Sequence, residues 1–219
     1  MWHGFLPVYG VTQDPEIKEY MIVMQYADNG SLLSYLNQNI NKLTWRTKLY
    51  HLYDIAWYLH NIHNVGLVHC DLHGGNIVLH HDMHAGKIYP LICDLGLSRS
   101  VNSCGSIPNI RGVLSFIAPE VFYTRKYTQK SDVYSFGIIM YLVATGEPPF
   151  RDRQFDRGLA CDIMGGLRPL MPDSAPEKYK KLAEQCCDAD PDKRPAALTL
   201  WNNIYELGDD DTWKCRLLQ

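Results

Sequence analysis

His69-Cys70-Asp71-Leu72-His73-Gly74-Gly75-Asn76 is the stretch on which the fold turns. It is polar and glycine-rich, which marks a loop. Short apolar runs follow it, Ile77-Val78-Leu79 and Ile88 to Cys93, so Leu67 to Arg99 reads as small strands displaying loops. Eighteen residues beyond Asn76 stands Asp94-Leu95-Gly96, and Ala118-Pro119-Glu120 comes later. Upstream, Leu49, Leu52, Ile55, Ala56, Leu59 and Ile62 recur at three- and four-residue steps. That period predicts an amphipathic helix from Thr44 to Val65, closed by Gly66. Further back, Phe5 to Val11 and Glu19 to Tyr26 are β-branched and aromatic runs around a polar turn, Thr12 to Glu16. They predict two strands. Asp28 to Ser31 breaks the second, and Ser31 caps a short helix beginning Leu32 to Leu36.

The second half predicts helices. Ser131-Asp132 is expected to cap a segment ending at Gly146 that is too apolar to lie on a surface, hence a central buried helix. Phe155–Met164, Pro176–Cys187 and Ala196–Leu207 are further helices, separated by Pro148-Pro149 and the Pro169 to Pro172 stretch. No internal repeat occurs, and Asp209-Asp210-Asp211 is expected to be a solvated end.

With 219 residues, 46% hydrophobic and 21% charged, the chain can bury a core without a disulfide or metal staple. A net charge of −3 argues against a broad basic surface for nucleic acid or an anionic membrane. The apolar run Phe136 to Ala144 is too short for a bilayer span of ~20 residues, and Met1 to Phe5 lacks the pattern of a secretion signal. Seven irregularly spaced cysteines with no CxxC pair read as free thiols in a reducing compartment. A soluble, intracellular, cytoplasmic protein is the expectation. His60, His63, His69, His73, His80, His81 and His84 invite a metal site. Two of them fall on a helix end and the last three in a strand-connecting turn, so they read as packed or solvated.

The His69–Asn76 stretch resembles the protein kinase catalytic loop H-R-D-L-x-x-x-N in four of its five fixed positions. Asp94-Leu95-Gly96 resembles D-F-G with Leu for Phe, and Ala118-Pro119-Glu120 is A-P-E. Ser131 to Gly137 looks like the start of the kinase central helix, Asp188 to Pro195 like the late Arg-Pro motif, and Gln25 to Leu32 like the hinge. On these six ordered motifs the chain is identified as a member of the eukaryotic-type protein kinases. It is similar to the tyrosine-kinase-like group, which mostly phosphorylates Ser and Thr.

The resemblance implies an α+β, protein-kinase-like fold. Residues 1–26 would be a remnant of the upper lobe with two antiparallel strands, 27–207 a mainly helical lower lobe, and 208–219 a tail. It also implies ATP and Mg2+ as cofactors and a protein substrate. Phosphoryl transfer is largely positioning plus electrostatics. On this likeness Asp71 accepts the substrate hydroxyl proton, Asp94 coordinates magnesium, and Asn76 holds a second metal through a neutral oxygen. Met24 matches the gatekeeper, while Gln25 and Ala27 offer backbone groups to adenine. Gly96 lets the backbone turn after Asp94, and His69 packs behind the loop. Asp132 accepts backbone hydrogen bonds from it, and Glu120 and Arg194 match a buried ion pair.

Four departures qualify the likeness. Cys70 replaces the Arg that pairs with a phosphorylated activation loop, and it reads as a small residue rather than a reactive thiol. His73 stands where Ser/Thr kinases commonly carry Lys, and Val113 where they carry Thr. Ser98, Ser100, Ser103, Ser106 and Ser115 are candidate phosphorylation sites in a loop expected to be exposed. No G-x-G-x-x-G and no V-A-I-K lysine precede Phe5. The expectation is an N-terminally truncated copy or an incomplete gene model, with little or no activity by itself and a bare strand edge. The rival reading is an inactive pseudokinase acting as a scaffold for partner proteins. Intact Asp71, Asn76 and Asp94 favour the enzyme.

Overall fold

Two antiparallel strands begin the chain, β1 (Val8–Gln13) and β2 (Tyr20–Met24), with Val8 opposite Met24 and Gln13 opposite Tyr20. The computed structural model describes residues 6–83, 86–103 and 108–208, so the acidic end Asp209–Asp211, His84 and Ser106 lie outside it. Strand β1 runs further than the predicted turn allows. Thr12 and Gln13 continue the ladder, as a β-branched residue favours. The reversal starts at Asp14, whose Oδ1 accepts the N–H groups of Glu16 and Ile17 at 2.8 and 3.0 Å. Apart from Gly10, every residue of the two strands is exposed. The ribbon is therefore held by its ladder and not by a core.

Helix α1 (Leu32–Asn39) starts where Ser31 accepts the Ser34 N–H, and it buries Leu32 and Leu36. Helix α2 (Trp45–Asn64) starts at Thr44, which accepts the Thr47 N–H, and buries the predicted apolar stripe. Four short strands follow: β3 (Leu67–Val68), β4 (Ile77–Asp82), β5 (Lys87–Ile92) and β6 (Arg99–Ser100). β4 and β5 form one antiparallel ribbon, β3 and β6 another. His80 and His81 lie inside β4, opposite Tyr89 and Ile88, and not in a connecting turn. The ladder continues through both histidines to Asp82 opposite Lys87.

Helix α3 (Pro119–Thr124) leads to α4 (Gln129–Thr145). The cap of α4 is Thr128, not Ser131-Asp132. Thr128 accepts the Ser131 N–H and Ser131 Oγ accepts the Thr128 N–H, a reciprocal box that makes Ser131 the third helical residue. From Ser131 to Met140 every residue is buried, as predicted for a central helix. Helix α5 (Arg157–Met164) packs on α3, α6 (Glu177–Cys186) on α4, and α7 (Ala197–Leu207) on α2. A Cβ on Gly137 would lie 2.5 Å from Cys187 Sγ and 2.8 Å from Cys186 Cβ, so α6 approaches α4 over a missing side chain. Trp201 of α7 stacks on Tyr53 and Trp57 of α2, with ring centroids 5.1 and 4.8 Å apart. Among the described residues no helix is long and apolar enough to cross a membrane.

Candidate active site

The loop after β3 is tied to the buried helix α4. The Asp132 carboxylate, 1% exposed, accepts the N–H groups of His69 at 2.8 Å and Cys70 at 3.0 Å. His63 Nε2 lies 2.9 Å from the same carboxylate. Sequence reasoning takes His63 for a packed or solvated helix-end residue. Its contact with Asp132 spans 69 positions, and no local pattern announces it. His69 is fully buried, and its Nδ1 accepts the Asp71 N–H at 3.2 Å. Burial holds its pKa below the ordinary histidine value. Cys70 is buried in the left-handed region at φ 69°, with Sγ 3.5 Å from the Val68 carbonyl.

Asn76 binds its loop to Asp71. Its Nδ2 donates to the Asp71 carbonyl at 2.9 Å and to Asp71 Oδ2 at 3.2 Å. The other oxygen, Oδ1, is buried without a hydrogen-bond partner. His73 Nε2 stands 3.6 Å from it, too far for a hydrogen bond but close enough for attraction. His73 Nδ1 accepts the Gly75 N–H at 3.0 Å, so in the neutral ring Nε2 carries the hydrogen. His73 beside Asp71, aided by the Asn76 amide, holds the Asp71 carboxyl below its usual range despite partial burial. Gly112, at φ 117°, passes so near that a Cβ there would lie 3.0 Å from Asp71 Oδ1.

Asp94 follows Cys93, whose N–H donates to the Asn76 carbonyl at 2.9 Å, so the second acidic residue starts from the Asn76 backbone. The left-handed residue here is Asp94 itself, at φ 58°, and not Gly96. Its short carboxylate tolerates that conformation by accepting the Gly96 N–H at 3.1 Å. Met24, Gln25 and Ala27 lie at the end of β2 and just beyond. The Gln25 N–H is already donated to the Pro7 carbonyl at 2.9 Å, which leaves its carbonyl for a ligand. Conversely, the Ala27 carbonyl accepts the Gly30 N–H at 3.1 Å, and its own N–H has no backbone partner among the described residues. Two bonds, Asn29 N–H to Leu79 at 3.2 Å and Leu79 N–H to Gly30 at 2.8 Å, pin this crossing to β4.

Glu120 and Arg194 form the bidentate pair the resemblance implies, both bonds 2.7 Å, with Arg194 1% exposed. Arg194 Nε also donates to the Asp188 carbonyl at 2.9 Å. One candidate phosphorylation site falls here. Ser115 is 1% exposed, because its neighbour Phe116 is drawn onto α4 by the Ser135 hydroxyl, which donates to the Phe116 carbonyl at 2.7 Å.

Among the described residues no three His, Cys, Asp or Glu side chains converge as a metal site. Asp94 and Asn76 carry side-chain oxygens that could hold magnesium, an ion that takes one or two protein carboxylates beside phosphate and water. A helical lobe that mounts an Asp–Asn loop on a buried helix, with a second Asp beside it, has the layout of a phosphotransferase domain. The family model for protein tyrosine and serine/threonine kinases matches residues 4–204. A serine/threonine-protein kinase/receptor of Acanthamoeba polyphaga mimivirus is 36% identical over 181 residues, covering 80% of this chain and 10% of that protein. The serine/threonine-protein kinase roco8 of Dictyostelium discoideum is 35% identical over 198 residues, covering 87% of this chain and 11% of its own. This chain belongs to the protein tyrosine and serine/threonine kinase family. It spans about a tenth of the length of these curated relatives. Protein kinases of this family use ATP and a divalent metal.

Proposed function

We propose that this chain transfers the γ-phosphate of ATP to serine or threonine hydroxyls of proteins. Asp71 is the proton acceptor, Asp94 and Asn76 hold magnesium, and Gln25 and Ala27 meet adenine beside Met24. The observation that carries this reading is the Asn76 amide. Its nitrogen is committed to Asp71, so its oxygen is left for a cation. The same bonds hold Asp71 with Oδ1 bare toward the Gly112 backbone. Magnesium, when bound, neutralises charge that develops on the transferred group.

Asp71, held below the ordinary carboxylate pKa, stays ionised at neutral pH and can accept a hydroxyl proton. Asp132, His69, Gly96, Glu120 and Arg194 keep the loop and its support in place. Residues 1–26 contribute to an upper lobe and 27–207 form the lower one. The choice of serine and threonine follows the relatives, which are named serine/threonine-protein kinases. Cysteines outside any disulfide at positions Cys70, Cys93, Cys161, Cys186 and Cys187 suit a place inside the cell.

The test is transfer of labelled γ-phosphate, by the full protein carrying these residues, onto serine, threonine and tyrosine peptides. Asp71→Asn is expected to lower the rate by about a hundredfold to ten-thousandfold with ATP affinity unchanged. Asp94→Asn is expected to abolish transfer and weaken metal-dependent nucleotide binding. ATP binding without transfer by the unmodified protein would instead support the scaffold reading. That alternative is favoured by the exposed apolar ribbon of Val8, Tyr9, Val11, Tyr20 and Ile22.

A further inference from the structure

The two oxygens of the Asp71 carboxylate stand in unlike surroundings. Oδ1 is buried and without a hydrogen-bond partner, although the side chain as a whole keeps 15% of its surface exposed. Against Oδ1 stands the Gly112 backbone, at φ 117°, where a Cβ would lie 3.0 Å from that oxygen. Oδ2 is the oxygen gripped by the Asn76 amide, at 3.2 Å.

Gly112 has no side chain with which to hold its place. The carbonyl just before it, of Arg111, accepts the hydroxyl of Tyr127 across 16 positions. Tyr127 is 7% exposed and directly precedes Thr128, the cap of α4, so its ring is fixed to the buried helix. Burial pushes its hydroxyl up to about 12, so it remains a donor at neutral pH. Further along the same segment, Ser135 of α4 holds the Phe116 carbonyl at 2.7 Å. Cys70, Asp71, Gly112 and Tyr127 border one gap of about 10 Å3, with no room for more than a single water.

We propose that Tyr127 is a positioning residue for phosphotransfer: its hydroxyl fixes the Arg111–Gly112 peptide against Asp71 Oδ1, so that the substrate hydroxyl meets Oδ2. The inference rests on the reading of Asp71 as proton acceptor. In that step the substrate oxygen bonds to the γ-phosphorus and ADP leaves with the electrons of the broken P–O bond. The hydroxyl proton passes to Oδ2. A carboxylate free to turn would offer either oxygen, and a misplacement of 1 Å costs about a hundredfold in rate.

Peptide phosphorylation by the full protein is compared for the unmodified chain, Tyr127→Phe, Gly112→Ala and the double variant. Tyr127→Phe keeps the ring and loses the hydroxyl. Its kcat is expected to fall about tenfold, the worth of one hydrogen bond, with KM for ATP unchanged. Gly112→Ala pushes the same peptide off Oδ1, so the double variant is expected to fall no further than the worse single one. Carboxyl labelling with a water-soluble carbodiimide, read at Asp71 by mass spectrometry, needs no phosphotransfer. It is expected to rise in Tyr127→Phe as Oδ1 opens to solvent. Unchanged labelling, or effects that multiply in the double variant, overturns the proposal. So does a faster Tyr127→Phe, which would make the segment a block over the base. Absence of transfer by every chain, with labelling still raised in Tyr127→Phe, would sink the proposed activity and the positioning role with it, leaving only the contact. Failure of the Tyr127 role alone shows instead as unchanged labelling in chains that transfer phosphate.

Discussion

Asp71 and His51 both lie below their ordinary pKa, for opposite physical reasons. At Asp71 a neighbouring histidine favours the charged form. At His51 burial disfavours it. Asp71 therefore contributes stability that is present above pH 3.8 and is lost only as pH falls through its still lower folded value. It plays no part in any change between pH 7 and 5. His51 does. The unfolded chain takes up a proton near pH 6.5, and the folded chain not until about 4, so in that window the unfolded state binds more protons. Stability must fall as pH falls, at ~1.4 kcal/mol per unit and by ~3 kcal/mol over the whole window. Between pH 7 and pH 5 the unmodified chain should lose about 2 kcal/mol more than His51→Phe, measured by urea unfolding at the two pH values. Equal losses would mean that His51 protonates in the folded chain, and hence that it is not buried as the structure has it. His69 and the remaining histidines are common to both chains and cancel.

Among the elements, the sequence pattern is most informative where local chemistry and burial agree. Helix α2 is legible because its apolar stripe has the helical period and Thr44 supplies the cap. The α4 start is misplaced in the sequence because Ser131 and Asp132 are themselves good capping types. The choice falls to Thr128, whose hydroxyl and that of Ser131 serve each other. Asp132 is thereby released from capping, and in the first turn it faces the His69 and Cys70 amides. Asp71, Asn76 and Asp94 are singled out by the resemblance of their motifs, and the structure brings Asp71 and Asn76 into contact. His63 on Asp132, the Gly112 backbone beside Asp71 and the buried state of Ser115 are not legible in the sequence, because each depends on a contact between distant segments. The α4–α6 approach at Gly137 is another such contact, and it can be tested. Gly137→Ala places a methyl group 2.5 Å from Cys187 Sγ and 2.8 Å from Cys186 Cβ. Alanine has the better helix propensity by about 1 kcal/mol, so an open site would be stabilised. Overpacking costs about 1–3 kcal/mol, and this site is closed on two sides by the end of α6. A net loss of up to about 2 kcal/mol in urea unfolding is expected, and a gain in stability would show that the helices are not in contact there.

For the whole molecule, stability is concentrated in the helical body and almost absent from the first strands. Leu32, Leu52, Ile55, Leu59, Phe136, Ile138 and Ile139 are wholly buried in one continuous core, whereas Tyr20 is 77% and Tyr9 68% exposed. The β1–β2 ribbon reaches the body through few groups: the Leu6 N–H to the Ile92 carbonyl at 3.4 Å, and Gln25 Nε2 against His80 Nε2 at 2.9 Å. A two-stranded ribbon that buries no side chain is marginal in water. Its amides should therefore exchange by local opening while those of α2 and α4 exchange only on global unfolding. Among the described residues, removing residues 1–24 takes away exposed surface, the β1–β2 ladder and the Leu6 bond to Ile92, but leaves Gln25 on His80. The cost is expected to stay below about 1 kcal/mol, which for a chain of this size moves Tm by no more than ~2–4 °C. Calorimetry of the two chains decides it. A fall of ~10 °C or more would mean that in solution the ribbon lies against the helical body, covering apolar faces that the structure leaves bare.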